Sequence, residues 1–242
     1  MTDLLQQLIQ DPASRADPAA IDVMLRSLLA DDAKLAEIAN QSYQHGNGFQ
    51  KIVLDATDHG RLRLHVWGPE GYPDECIHDH RFDLESTVIL GQLNHRLFTP
   101  TTAPGAGQTF DVFDYRSKAG ETQSSFQHVG KQTLAQTGEL TVRAGESYTL
   151  PYDTLHLANP GGVYGTATLL FEALPHKQQA ALVYQNGHEI KASYELPRMT
   201  TDELRATLAE LQQNMKLERQ LNHQTNQQLA QPALPQQHAQ QR

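Results

Sequence analysis

The stretch Ile77-His78-Asp79-His80-Arg81-Phe82, with Leu150-Pro151-Tyr152-Asp153-Thr154-Leu155-His156-Leu157 further on, decides how this chain is read. In an extended strand successive side chains point to opposite faces, so His78 and His80 project the same way. Two imidazoles so placed can grip one metal ion, and His156 can complete the site. The competing reading is three surface histidines. Proline and glycine flank both stretches, at Gly71, Pro73 and Gly91 and at Gly145 and Pro151, and supply the tight turns that ligand-bearing hairpins need.

The bulk properties narrow the classes. At 242 residues the chain can hold one sizeable core plus extensions. A formal charge of -9 argues against a nucleic-acid surface or a polybasic membrane anchor. No apolar run approaches the roughly 18 residues needed to span a bilayer. Met1-Thr2-Asp3 carries no basic patch ahead of the leucines, unlike a signal peptide. The single cysteine, Cys76, excludes an internal disulfide and fits a reducing compartment, so a cytoplasmic location is expected. Twelve histidines against that one cysteine point to imidazole and oxygen ligands, which suit iron, manganese, nickel, copper or zinc.

Residues 1–46 read as a helical extension. Asp17-Pro18 is a helix start, and Ile21, Met24, Leu25, Leu28 and Leu29 form one apolar stripe that must bury itself, most plausibly on the outside of a barrel. From residue 47 the pattern changes to short strands: 51–54, 61–67, 87–90, 92–99, 109–115, 139–142, 147–150 and 166–171, separated by Gly- and Pro-containing turns. Residues 47–197 are therefore expected to form the barrel. Leu204, Leu208, Leu211 and Met215 mark an amphipathic helix over 198–222, opened by a capping box at Thr200 and Glu203. Packing on the barrel is the expectation for it, ahead of a short coiled coil. The Gln-rich segment 223–242 is expected to be disordered, and His223 and His238 there to be incidental.

Gly71 to Gly91 and Gly145 to Asn159 resemble the two signature motifs of the cupin superfamily, small β-barrels that bind a divalent metal between two hairpins. The fold so implied is mainly β: a cupin-type (double-stranded β-helix) barrel with N-terminal helices and a C-terminal helix. A narrower resemblance is to the cysteine dioxygenase family of thiol dioxygenases. It rests on Gly48-Phe49-Gln50-Lys51, on Trp67-Gly68-Pro69-Glu70-Gly71 ending a strand, on Ile77-His78-Asp79-His80 and on Leu90-Gly91-Gln92-Leu93, and it covers roughly residues 45–175. That resemblance implies metal ligation by His78, His80 and His156, with Fe(II) as the first choice of cofactor and Mn, Ni, Zn or Cu as others.

The departures shape the functional expectation. Lys51 stands where the family has a substrate-carboxylate arginine, offering a point charge instead of a bidentate fork. Glu85 stands at or beside the family's cysteine, and Glu172 and Leu170 near its later tyrosine and histidine. Counted from His80, Glu85 occupies the place of the glutamate ligand of many cupins; counted back from Gly91 it is one residue too close. Asp83 is the other carboxylate candidate. If Glu85 ligates, the site charge falls to about +1 and fewer positions stay open, which suits Lewis-acid chemistry. If it does not, three neutral imidazoles leave the full metal charge for an anionic chelating substrate. His95 shares its strand face with Leu93 and Leu97 and lines the pocket if that face looks inward. His65 is read as structural, and Cys76 as a buried small hydrophobe.

The expectation is a non-haem iron-dependent oxygenase acting on a small polar anionic substrate such as a thiol or amino acid derivative, with Lys51 and Glu85 as its catalytic candidates. The alternatives are a metal-dependent cupin isomerase, lyase or decarboxylase, and a non-catalytic ligand-binding cupin. Expected partners are the small-molecule substrate and O2, with no nucleic acid and no membrane, and with a homodimer left open.

Overall fold

A computed structural model describes residues 2–70, 76–116, 123–177, 182–185 and 193–229. Four helices come first: α1 (Thr2–Gln10), α2 (Pro12–Ala16), α3 (Pro18–Leu29) and α4 (Asp32–Ala39). Three aspartates start the last three. Asp11, Asp17 and Asp31 sit in extended backbone and accept the first free amides, and Pro12 and Pro18 open their helices where no amide donor is needed.

The strands follow in two antiparallel sheets. One has the order β1-β2-β3-β11-β5-β9, from β1 (Tyr43–Gln44), β2 (Gln50–Thr57), β3 (Gly60–Trp67), β11 (Thr166–Ala173), β5 (Leu84–Leu90) and β9 (Ser147–Leu150). The other has the order β13-β8-β6-β10-β4-β12-β7, from β13 (Ser193–Glu195), β8 (Gln123–Arg143), β6 (Gln92–Pro100), β10 (Leu155–Gly161), β4 (Ile77–His78), β12 (Leu182–Gln185) and β7 (Gln108–Arg116). β8 pairs with β7 along its first half and with β6 along its second, so the two ends of this sheet are joined through it. Phe49, Trp67 and Val88 of the first sheet's side meet Leu93 and Val142 of the second in one buried cluster. The chain is thus mainly β, two curled sheets packed face to face with helices at both ends, as expected of a cupin-type barrel.

The outer face of the first sheet is equally apolar. Ile52, Leu54, Leu62, Leu64, Ile89 and Leu169 pack under Leu25 and Leu28 of α3 and under Leu204, Leu208, Leu211 and Met215 of α5 (Thr201–Leu229). Both faces of β3 are therefore internal, one against helices and one inside the barrel. That is why its sequence alternates leucine with arginine, histidine and tryptophan instead of with solvated residues. Leu29, counted in the α3 stripe from sequence, is only partly buried at its edge.

The turn at Gly91 carries the chain from the first sheet to the second. Its φ is +71°, and a Cβ there would lie 2.3 Å from the carbonyl oxygen of Gly165, so only glycine fits. Glu218 of α5 accepts a hydrogen bond from the Gly91 amide at 3.0 Å, tying the C-terminal helix to this turn.

Several boundaries differ from the sequence reading. Strand pairing begins at Tyr43, inside the segment assigned to the helical extension, because Tyr43 and Gln44 find partners in Lys51 and Gln50. β8 runs unbroken from Gln123 to Arg143, although only 139–142 read as strand; most of its side chains are exposed on both faces, so no alternation marks it. α5 continues to Leu229, past the point where sequence composition placed a disordered tail. Gln224, Gln227, Gln228 and Leu229 there are good helix formers, and Thr225 and Gln227 bond back one turn to Leu221 and His223. Residues 230–242, including His238, lie outside the described ones. Among the described residues no helix is long and apolar enough to cross a membrane.

Candidate metal centre

β4 and β10 lie side by side with His78 directly opposite His156. Their rings are 4.5 Å apart between centroids, and His80, just beyond β4, is 5.1 Å from each. One ligand nitrogen from each of the three falls within 4.8 Å of the others. Strand pairing accounts for the first contact. The second depends on the loop after β4, where the His80 amide donates to the Tyr152 carbonyl at 3.0 Å and holds the backbone against the turn before β10.

Ring orientation is set the same way on both strands. Nδ1 of His78 lies 3.0 Å from the Cys76 carbonyl, and Nδ1 of His156 lies 3.0 Å from the Thr154 carbonyl. A carbonyl can only accept, so each Nδ1 carries its proton and Nε2 keeps a lone pair free. This is the arrangement that fixes tautomer and direction in metal-binding histidines. Burial pushes all three imidazoles down, His80 and His156 well below the ordinary value. They are neutral, which is the form that ligates. Three convergent, neutral, pre-oriented imidazoles fit a divalent transition metal.

The carboxylate candidates lie elsewhere, which corrects the assignment of Glu85 as a metal ligand. Leu84 faces the cavity, on the same parity as His78 and His80, and Glu85 on the opposite parity points outward. There Glu85 ion-pairs with Arg15 of α2, whose side chain is 2 % exposed against 47 % for Glu85. Arg15 also donates to the carbonyls of Leu8 and Ile9 at the end of α1. Glu85 is thus a clamp for the N-terminal helices. Asp83 accepts from the Tyr152 amide and from His176, both at 2.8 Å, and fixes loops instead of ligating. Asp79, between the two histidines, is buried and pairs with Lys177 at 2.6 Å.

The triad lines a cavity. Its walls are largely apolar, including Phe49, Trp67, Leu84 and Leu170, with Cys76 at the edge. His95 lines it, on the inner face of β6. Its ring is 5.4 Å from that of His156 and 4.7 Å from that of Tyr148, and burial pushes its pKa down to about 4. Tyr148 is raised by burial to about 12. His65, read as structural from sequence, also lines the cavity, because β3 turns Arg63, His65 and Trp67 inward together.

Beyond His65 lies a cluster of basic side chains. Lys51, opposite His65 in the β2–β3 ladder, holds its ammonium 5.3 Å from the Tyr43 ring. Burial pushes that ammonium well below the usual lysine value, and Arg63, Arg61, Arg81 and Arg198 push it the same way. Glu172 ion-pairs with both Arg61 and Arg63. Sequence reasoning picked out Lys51 but passed over Arg63 and Arg81. For Arg63 the signal was arginine at alternate positions in β3, whose other face is leucine; Arg81 lies in the loop after β4, outside any such pattern.

Neither a protein-family model nor a curated protein matches this sequence. Among solved structures, similar ones include KdgF from a Halomonas species, at 13% identity and a TM-score of 0.33, covering 55% of this chain and 87% of that one. A hydroquinone 1,2-dioxygenase in complex with Cd2+ and 4-hydroxybenzonitrile shows 12% identity and a TM-score of 0.30, covering 51% of this chain and 63% of that one. This chain thus spans just under two thirds of that dioxygenase. A cupin-like protein from Thermotoga maritima shows 12% identity and a TM-score of 0.26, covering 68% and 90%. At these scores the likenesses add nothing to what the chain's own strands show.

Proposed function

We propose that this chain is a metal-dependent enzyme of cupin type, a non-haem iron oxygenase acting on a small anionic substrate such as a thiol or amino acid derivative. The observation that carries the reading is the donor set: three neutral imidazoles converge, and among the described residues no carboxylate joins them. An all-imidazole set leaves the ion's charge uncompensated, which favours an anionic ligand over a neutral one. Bound there, a divalent ion such as Fe(II) supplies the Lewis acidity and O2 chemistry that no side chain of the cavity offers.

The chain's own residues bind, orient and exclude water. The Cys76 and Thr154 carbonyls hold His78 and His156 in one tautomer. Phe49, Trp67, Leu84 and Leu170 form a wall that keeps the cavity apolar and strengthens any charge–charge attraction within it. Lys51 lies opposite the cavity-lining His65 in the β2–β3 ladder and offers a charge for a carboxylate on the substrate. The resemblance to cysteine dioxygenases in Gly48–Lys51 and Ile77–His80 supports the same class.

The test is oxygen consumption. Protein loaded with Fe(II) under argon and mixed with a panel of small thiols and amino acids should take up O2 with at least one of them, and His156→Ala should abolish the uptake. Product formed without O2 would show instead a redox-neutral isomerase, lyase or decarboxylase. Ligand binding without turnover would show a binding protein.

A further inference from the structure

His95 is buried, 2 % exposed, yet neither of its ring nitrogens has a hydrogen-bond partner among the described residues. A neutral imidazole carries one N–H donor and one lone pair, and buried polar groups are almost always paired. The contrast with its neighbours is direct, since His78 and His156 each spend Nδ1 on a backbone carbonyl. His95 lines the cavity beside the triad, its ring 5.4 Å from that of His156. Tyr148 packs its ring on that of His95 and fixes its direction. Opposite strands add a second such group: Nε2 of His65, in the same cavity wall, is also unpartnered. An apolar cavity with unmet imidazole nitrogens in its walls is shaped for a ligand that brings the missing polar atoms.

We propose that His95 is a ligand-binding residue, donating a hydrogen bond from its ring N–H to an electronegative atom of a small anion held at the His78–His80–His156 centre. The inference rests on the metal reading of that triad. It names the ligand class more closely: a compact anion with a second acceptor atom besides the one facing the three histidines. Such an anion meets the His95 donor without needing a longer side chain from the protein.

Azide serves as the probe, with Co(II) in the site as a spectroscopically visible divalent ion. Wild type, His95→Leu, His95→Phe and His95→Gln are titrated first with Co(II) and then with azide, and the metal-free melting temperature of each is taken. Co(II) affinity should be the same in all four. Azide should bind about tenfold more weakly to His95→Leu and His95→Phe, the change expected for one hydrogen bond, and His95→Gln should recover part of it. The melting temperatures of the apolar variants should not fall, because they remove unmet polar atoms; a histidine that merely supports the fold would lower them. Unchanged azide affinity in a Co(II)-loaded apolar variant overturns the proposal. So does a fall in Co(II) affinity, which would make His95 a fourth ligand, and so does failure of both apolar variants to fold. If wild type binds no Co(II), the metal reading itself has failed and this inference falls with it.

Discussion

Arg15 of α2 ion-pairs with Glu85 on the outer face of the barrel, on the opposite side of β5 from the histidine triad. The pair places a metal-ligand candidate in the structural framework instead, and leaves three imidazoles as the donor set.

Glu85→Gln should therefore leave metal affinity unchanged and lower stability. Arg15 stays buried with one charge unmatched, at a cost of roughly 1–3 kcal/mol. That is less than for a wholly buried pair, since Glu85 is half-exposed and its side is screened. For a chain of this size the melting temperature should drop by several degrees. A melting curve with a parallel metal titration checks both halves, and reduced metal affinity at unchanged stability would return Glu85 to the site.

Lys51→Met keeps most of the side-chain length and removes the charge. Binding of small carboxylates to the metal-loaded protein should weaken about tenfold to a hundredfold, the loss of a charge-assisted hydrogen bond, with metal content unchanged. The lowered pKa of Lys51 adds a signature. An anion stabilises the protonated ammonium, so binding above the folded pKa of Lys51 takes up a proton and weakens as pH rises. Isothermal titration in buffers of different ionisation enthalpy reads that uptake. Equal affinity for wild type and variant across several anions would make Lys51 a packing residue over Tyr43.

Acid should unfold the metal-free protein early. His45, His65, His78, His80, His95 and His156 all have pKa values pushed below the ordinary 6.5, chiefly by loss of hydration inside the protein. Below about 6.5 the unfolded chain binds protons that the folded chain refuses, so stability falls as pH drops through that value and on toward the folded pKa values. Each unit of depression is worth about 1.4 kcal/mol per group. Urea midpoints measured from pH 7.5 to 5 should fall steadily, and a flat profile would contradict the burial of these rings as neutral groups.

Much of this was legible in the sequence. His78, His80 and His156 announce themselves by spacing, the α3 and α5 leucines by helical periodicity, and Thr200 with Glu203 by the reciprocal cap that forms between them. What was hidden had physical causes. The count from His80 to Glu85 is a motif spacing and not a strand parity: in β5 Leu84 takes the cavity side, as His78 and His80 do, and Glu85 takes the other. Arg15 is polar and buried, so no apolar pattern could reveal it as the partner that removes Glu85 from the site. β8 carries polar residues on both faces and gives no alternation to read. The inward turn of Arg63 and His65 depends on helices covering Leu62 and Leu64, a tertiary fact that the strand's own pattern leaves ambiguous.

The central claim is the metal centre, and an anaerobic Fe(II) titration of wild type beside His156→Ala tests it most directly. Wild type should bind about one ion per chain, with imidazole nitrogens at roughly 2.0–2.2 Å by X-ray absorption, by analogy with zinc sites. Removing His156 should weaken binding by more than the ~10–100-fold typical of residues that only orient a ligand. Equal Fe(II) affinity in the two proteins, or no binding by wild type, would contradict the account.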